Sequence, residues 1–323
     1  MPAYKSTAIA MSNIALIKYW GNTNEVLRLP SNPSISFNLR DLFTTTTVEF
    51  DPTLRRNEVM IDEELATGAP YNRVVQHLDL IHKNQPAPDQ PPYARVISHN
   101  NFPMGAGIAS SASAFAALTI ATCAALQLNK SEAELSALAR QGSGSASRSV
   151  PGGFVAWRSD HAYSIAPAEH WALVDVIGVV STGHKKTGST EGHALAPTSP
   201  LQLARIADTQ RRFDLCQKAI HQRDFDLLAN VIEQDALMMH GVMMTSNPPL
   251  IYWLPASIAI MHTVQDLRAH GIPVAFTIDA GPNIHCICEK AAVSQVTNAL
   301  SSIAGVNTVL TSAIGGAAHI IGA

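Results

Sequence analysis

Four separated segments carry side chains with chemical potential. Residues 13–22 read N-I-A-L-I-K-Y-W-G-N, an apolar run that encloses one cation, Lys18. An ammonium among apolar neighbours is costly unless an anion meets it. The alternative is an edge-strand lysine whose stem lies on apolar surface while its head reaches water. Residues 103–113, P-M-G-A-G-I-A-S-S-A-S, combine Gly105 and Gly107 with hydroxyls at Ser110, Ser111 and Ser113. Where such a turn opens a helix, free N–H groups and the positive end of the helix dipole suit a phosphate. Ser110 or Ser111 could also ligate a Mg2+ that bridges nucleotide phosphates. No lysine follows as in a G-x-x-x-x-G-K-[ST] P-loop, and a small-residue helix start packed against a strand is the other reading. Residues 141–153, Q-G-S-G-S-A-S-R-S-V-P-G-G, hold one arginine, Arg148, whose fork of donors matches a carboxylate or phosphate. Ser143 and Ser145 lie two apart and could face the same ligand. A solvated loop would have the same composition, but the apolar strand expected at 154–157 pins this one to the core. Asp279 ends an apolar strand, 274–278, just before a Gly-Pro turn. That place suits a catalytic carboxylate and equally an aspartate capping its own backbone.

To position these segments the chain alternates helices and strands, without internal repeats. Residues 44–50, T-T-T-T-V-E-F, predict a strand after the turn-rich stretch at 30–33. Apolar spacing predicts a helix over 72–83, and the proline-rich stretch 85–92 a surface connection. A short strand at 95–98 leads to the glycine-bearing turn and an alanine-rich helix over 110–126. Ser131 with Glu134 forms a capping-box signal for a helix ending near Gly142. An apolar strand at 176–180 opens a second lobe through a polar loop, 181–192, with helices at 200–220, 224–240 and 258–270.

Composition narrows the partners. With 323 residues, 46% hydrophobic and 15% charged, the chain has ample length for two lobes. A formal charge of -3 gives no cationic field for nucleic acid, so an anionic ligand must be met by a few placed groups. Small molecules fit that better. The four cysteines, at 123, 216, 286 and 288, show no zinc-site spacing, and no signal-peptide pattern or apolar run of about 18 residues occurs. A reducing cytoplasm and no membrane partner are the expectations.

Taken in order, N-I-A-L-I-K-Y-W-G, L-P-S-N-P-S-I-S-F (29–37), N-N-F-P-x-x-A-G-I-A-S-S-A-S, G-S-G-S-A-x-R-S and T-I-D-A-G-P-N resemble the mevalonate diphosphate decarboxylase family of the GHMP kinase superfamily. G-S-T-E-G at 188–192 and Met239-His240 followed by Pro248-Pro249 extend the match over nearly the whole chain. The resemblance implies an α+β, GHMP kinase-like two-lobe fold around a central cleft. Its N-terminal lobe, 1–182, would be of the ribosomal protein S5 domain 2 type, and its C-terminal lobe, 183–323, α+β. It also implies ATP and Mg2+ as cofactors, a phosphorylated mevalonate as substrate, and a homodimer, although no sequence feature specifies an interface. Pro103, Gly105, Gly107, Ser110, Ser111 and Ser113 would cradle the ATP phosphates, with Ser110 on the metal. Lys18, Tyr19, Ser143, Ser145 and Arg148 would line the mevalonate side, Arg148 on the carboxylate and Asp279 beside the C3 hydroxyl. Asn13, Ser34 and Ser36 match positions around the same pocket, and Arg73 falls near a family lysine. His240 and His285 are expected to be structural.

One departure bears on the substrate. Family members that use the diphosphate mostly read K-Y-W-G-K, with the last lysine near the terminal phosphate, whereas this chain has Asn22. A hydrogen bond to a charged group contributes about 1.5–3 kcal/mol, so its loss weakens diphosphate binding by roughly one to two powers of ten. The expectation is therefore decarboxylation of 5-phosphomevalonate to isopentenyl phosphate, with ADP, phosphate and CO2. Mevalonate diphosphate decarboxylation is the alternative, with Lys185, Lys186 and Arg73 as substitute cations. A 3-kinase that stops before decarboxylation would be expected to lack the lysine and aspartate pair, and a noncatalytic binder would not need it.

Overall fold

The computed structural model describes residues 4–83, 91–102, 110–183 and 187–322. Two long antiparallel strands form its spine. Strand β1 (Lys5–Ile17) is followed by the hairpin β2 (Asn22–Asn24) and β3 (Leu29–Pro30), then by β4 (Ser34–Phe50). β1 and β4 pair from Lys5↔Glu49 to Ile17↔Ile35, with an irregularity at Met11/Ser12. The expected strand at 44–50 is thus the last part of a much longer one. Its outer half alternates buried and partly exposed residues, as one covered face requires, while both strands are continuously buried near the site.

Next along the chain come β5 (Glu58–Ile61), β6 (Glu64–Leu65), α1 (Gly68–Lys83), β7 (Ala94–Asn100), α2 (Ser110–Ala125) and α3 (Glu132–Gly142). A 3-10 turn, Gly144–Ser149, leads into β8 (Phe154–Trp157) and β9 (Ala162–Ala166). β4 carries β7 along its outer half and β8 along its inner half, so the first sheet has eight strands. Small apolar residues all round α2 let it bury nearly every side chain between this sheet and the other helices. The expected capping box is present, with Ser131 accepting from the Glu134 N–H and Glu134 accepting from that of Ser131.

The remaining elements are β10 (Leu173–Val179), α4 (Ser189–Leu195), α5 (Gln202–Gln222), α6 (Phe225–Met244), α7 (Pro255–Ala269), β11 (Val274–Thr277), β12 (Ile284–Glu289), α8 (Val293–Ser301), β13 (Thr308–Ala313) and β14 (His319–Gly322). A second sheet runs β11-β12-β10-β13. Strand β10, which precedes the expected boundary at 182, belongs to it, while β14 returns to the first sheet beside β1. One core joins β4 and β8 to α5, α6 and the second sheet; another packs α7 and α8 on that sheet. Part of the expected loop 181–192 is the start of α4. All four cysteines are buried and free of disulfides. No helix among the described residues is long and apolar enough to cross a membrane.

The tail follows from close packing. The Gly315 N–H donates to the Asn38 carbonyl at 2.8 Å, and its own carbonyl accepts from the Gly153 N–H at 2.9 Å. A Cβ at Gly315 would stand 2.2 Å from Met11 Sδ and 2.9 Å from the Arg40 backbone. Only glycine permits that approach.

Candidate active site

β1 gives out at Ile17, and Lys18 follows where the chain leaves the sheet. A buried polar network fixes the turn. The Lys18 N–H donates to Asp235 Oδ2 at 2.6 Å, and its carbonyl accepts from Arg205 Nη2 at 2.7 Å and Asn32 Nδ2 at 2.9 Å. Asp235 on α6 is also held by Arg212 Nε of α5 at 2.8 Å. The Lys18 side chain is only 1% exposed, and its Nζ donates to the Ala15 carbonyl at 2.7 Å and to Asp279 Oδ1 at 2.6 Å. The snorkelling alternative is thereby excluded. Burial pulls the Lys18 pKa below the usual lysine value, with Asp279 opposing. Burial alone would raise that of Asp279, but Lys18, His285 and Arg148 outweigh it and hold the carboxyl below the usual range. Asp279 therefore faces the cavity ionised. His240 on α6, kept neutral by burial with its pKa lowered to about 4, lies 3.2 Å from the Asp279 carbonyl and donates through Nε2.

Arg148 enters from the 3-10 turn. Its guanidinium donates to Ser34 Oγ at 2.8 Å and Asn13 Oδ1 at 3.2 Å, and lies 5.8 Å from the centre of the Trp157 ring. Asn13 in turn donates to the Ser145 carbonyl at 3.1 Å and Ser149 Oγ at 2.8 Å. Burial lowers the Arg148 pKa to about 10, so it stays charged at neutral pH. Hydroxyls of Ser111, Ser143 and Ser145 form a chain with steps of 3.2 and 3.4 Å, linking the start of α2 to the 3-10 turn. Tyr19 lies across Gly144, where a Cβ would come within 2.6 Å of its ring.

These groups face one cavity of about 840 Å3, lined by Asn13, Lys18, Tyr19, Arg73, Ser110, Ser111, Ser143, Ser145, Arg148 and Asp279 among others. Other expected residues stand elsewhere. Ser34 and Ser36 are fully buried outside the lining, Ser34 bonded to Arg148. Ser113 is buried against Thr44 Oγ1 at 2.7 Å, because two positions beyond Ser111 it points to the opposite side of α2, into the core. Asn22 is also outside the lining, accepting from the Tyr19 hydroxyl and donating to Glu25 Oε2 at 2.8 Å. Pro103, Gly105, Gly107, Lys185 and Lys186 lie outside the described residues.

Sequence reasoning missed Arg28 and His193, both in the lining. His193 Nδ1 accepts from the Gly21 N–H at 2.9 Å, its ring sits 4.1 Å from that of Tyr19, and burial lowers its pKa to about 3. A lone histidine after G-S-T-E-G carries no local signal. The Arg205 and Arg212 pair had one: with Thr209 they fall at i, i+4 and i+7 on the buried face of α5.

The Mg2+ expectation also meets geometry. No group of three or more His, Cys, Asp or Glu among the described residues is arranged to hold a metal. Ser110 opens α2 and lines the cavity, and no hydrogen bond among the described residues engages its Oγ. One hydroxyl at the start of α2 suits Mg2+, which takes most of its ligands from phosphate and water.

The family model described as diphosphomevalonate decarboxylase-like N-terminal domain matches residues 10–167, and that of the mevalonate 5-diphosphate decarboxylase C-terminal domain residues 175–320. The chain belongs to the diphosphomevalonate decarboxylase family. The diphosphomevalonate decarboxylase of Candida albicans is 37% identical over 317 residues, covering 92% of this chain and 88% of the relative. The mevalonate diphosphate decarboxylase of Staphylococcus aureus superposes with a TM-score of 0.92 at 35% identity, over 98% of both chains. A further solved structure, described as "in complex with MVAPP, AMPPCP and Magnesium", gives 0.91 at 34%, over 99% of both chains. The family's ATP-dependent carboxy-lyases share the two-lobe α+β architecture expected from the sequence and found here.

Proposed function

We propose that the chain decarboxylates mevalonate 5-diphosphate at the expense of ATP with Mg2+, releasing isopentenyl diphosphate, ADP, phosphate and CO2. The observation that carries the chemistry is the Lys18–Asp279 ion pair, 2.6 Å long, presented to a cavity that Arg148 also faces. The names of the relatives support the diphosphate. So do two further cations in the lining, Arg28 and Arg73, which offset the charge lost at Asn22.

The C3 hydroxyl would lie against Asp279, which orients it toward the γ-phosphoryl group and accepts its proton as the new O–P bond forms and ADP leaves. A carboxylate held this acidic is a weak base at neutral pH, so its main contributions are orientation and charge. Phosphoryl transfer through a loose transition state demands little more. When bound, Mg2+ neutralises charge on the ATP phosphates. The C3–O bond then breaks with loss of phosphate, and Asp279 faces the positive charge developing at C3. Arg148 would hold the substrate carboxylate so that the C1–C2 electron pair forms the alkene and CO2 departs. Lys18 keeps Asp279 aimed throughout and favours its carboxylate form, to which it returns as the accepted proton passes to the departing phosphate.

A second reading, mevalonate 5-phosphate giving isopentenyl phosphate, is favoured by the Asn22–Glu25 bond of 2.8 Å, which occupies the amide and sets a carboxylate beside it. Steady-state assays of CO2 and ADP release with both mevalonate phosphates decide between them. A higher kcat/KM on the diphosphate supports the first reading, and a preference of tenfold or more for the monophosphate replaces it with the second.

A further inference from the structure

Arg28 stands in the turn between β2 and β3, whose strands pair Asn22↔Pro30 and Asn24↔Leu29. Its φ of 50° is in the left-handed region that side chains rarely adopt. From there it crosses to α3, where Nε donates to the Gln141 carbonyl at 3.0 Å. Arg73 arrives from α1 and donates to the next carbonyl, Gly142, at 3.2 Å, with its guanidinium 4.8 Å from the centre of the Phe115 ring. Two guanidinium groups are thus gathered at consecutive carbonyls on the C-terminal end of one helix, where the dipole favours cations. Each has used one of its five N–H donors there. No ion pair joins either to a carboxylate among the described residues, and both line the large cavity. Burial and the neighbouring Arg28 charge both lower the Arg73 pKa, as expected of like charges held together without an anion.

The two arginines are not equivalent. Arg73 also lines a smaller adjoining pocket of about 180 Å3 with Ser110, Ser111 and Phe115, on the side where α2 begins, whereas Arg28 is absent from that pocket. The Arg28 charge acts on Tyr19 and His193, which line the large cavity with it.

We propose that Arg28 is a specificity residue for the phosphorylated end of the substrate, closing with Arg73 into a two-guanidinium clamp on the 5-phosphoryl group. The assignment rests on the reading above that the substrate is a mevalonate phosphorylated at C5. It holds for one phosphate or two.

Calorimetric titration of the full chain and its Arg28→Ala and Arg28→Lys variants with mevalonate 5-diphosphate, mevalonate 5-phosphate and mevalonate tests it. Wild type should bind the phosphorylated ligands more tightly than mevalonate. Arg28→Ala should lose about 10- to 100-fold in affinity for them, bind mevalonate unchanged and keep its KM for ATP within about twofold. Arg28→Lys should recover part of the loss, because one point charge replaces a fork. If Arg28→Ala fails to fold, Arg28→Lys still has to show a loss confined to phosphorylated ligands. An unaltered ratio of phosphorylated to unphosphorylated affinity in a folded variant, or a loss that falls on ATP, overturns the role of Arg28 alone. Wild type that does not favour the phosphorylated ligands overturns the substrate reading and the clamp with it.

Discussion

At the scale of single residues, the centre of the site is an ion pair whose partners are 261 positions apart and whose ammonium is shut away from water. Such a pair contributes little net stability, because desolvation offsets most of the attraction. Its value lies in holding a carboxylate charged and directed at a cavity. Asp279→Asn should fold and bind ATP normally while turnover falls about 10^2- to 10^4-fold, measured by coupled ADP release. Near-wild-type turnover would remove Asp279 from the chemistry. Lys18, Arg148 and Asp279 stood out in the sequence as charges inside apolar or glycine-serine runs, but each had a bland alternative there, and only the family resemblance put the three in one site. Ser34, Ser36 and Ser113 were harder to place. The motif identified the neighbourhood, but strand pleat and helix rotation decide which side of it a hydroxyl faces.

At the scale of elements, the position of Lys18 depends on α5 and α6 as much as on β1. Asp235 is fully buried and bonds at once to the Lys18 N–H, within 2.6 Å, and to Arg212, within 2.8 Å. Asp235→Ala leaves Arg205 and Arg212 buried without their shared anion, so it should cost about 3–5 kcal/mol of stability. Equilibrium unfolding in urea measures this, and a loss below about 1 kcal/mol would show that the network is dispensable. Helices were read more readily than strands. The repeat of apolar side chains and the Ser131–Glu134 cap mark helices locally. The 17-residue length of β4, in contrast, depends on its partners β1, β7 and β8, which no single window of sequence reveals.

At the scale of the whole molecule, burial keeps His77, His193 and His240 in the neutral form. The pKa is lowered to about 3 at His77 and His193 and to about 4 at His240, in each case first by burial. Each titrates near 6.5 once unfolded, so the unfolded chain binds more protons below that pH. The stabilisation is complete above pH of about 6.5 and is lost progressively as the pH falls, through about 4 for His240 and about 3 for His77 and His193. The thermal midpoint should drop steeply across that window, and a His240→Gln variant should show a shallower drop. An unchanged slope would mean that His240 does not set it. Two lobes could be anticipated from the length and the alternation of elements, but the partner of β14 could not, since pairing between strands so far apart in sequence leaves no local trace. That pairing, Thr7↔Gly322 and Ala8↔Ile320, bears on biosynthesis. A nascent chain emerging from the ribosome makes β1 long before β14, so one edge of the first sheet stays open while everything between them is translated. Until then the first lobe presents an unpaired strand to every other chain in the cell, and chaperone dependence should be greatest at that stage.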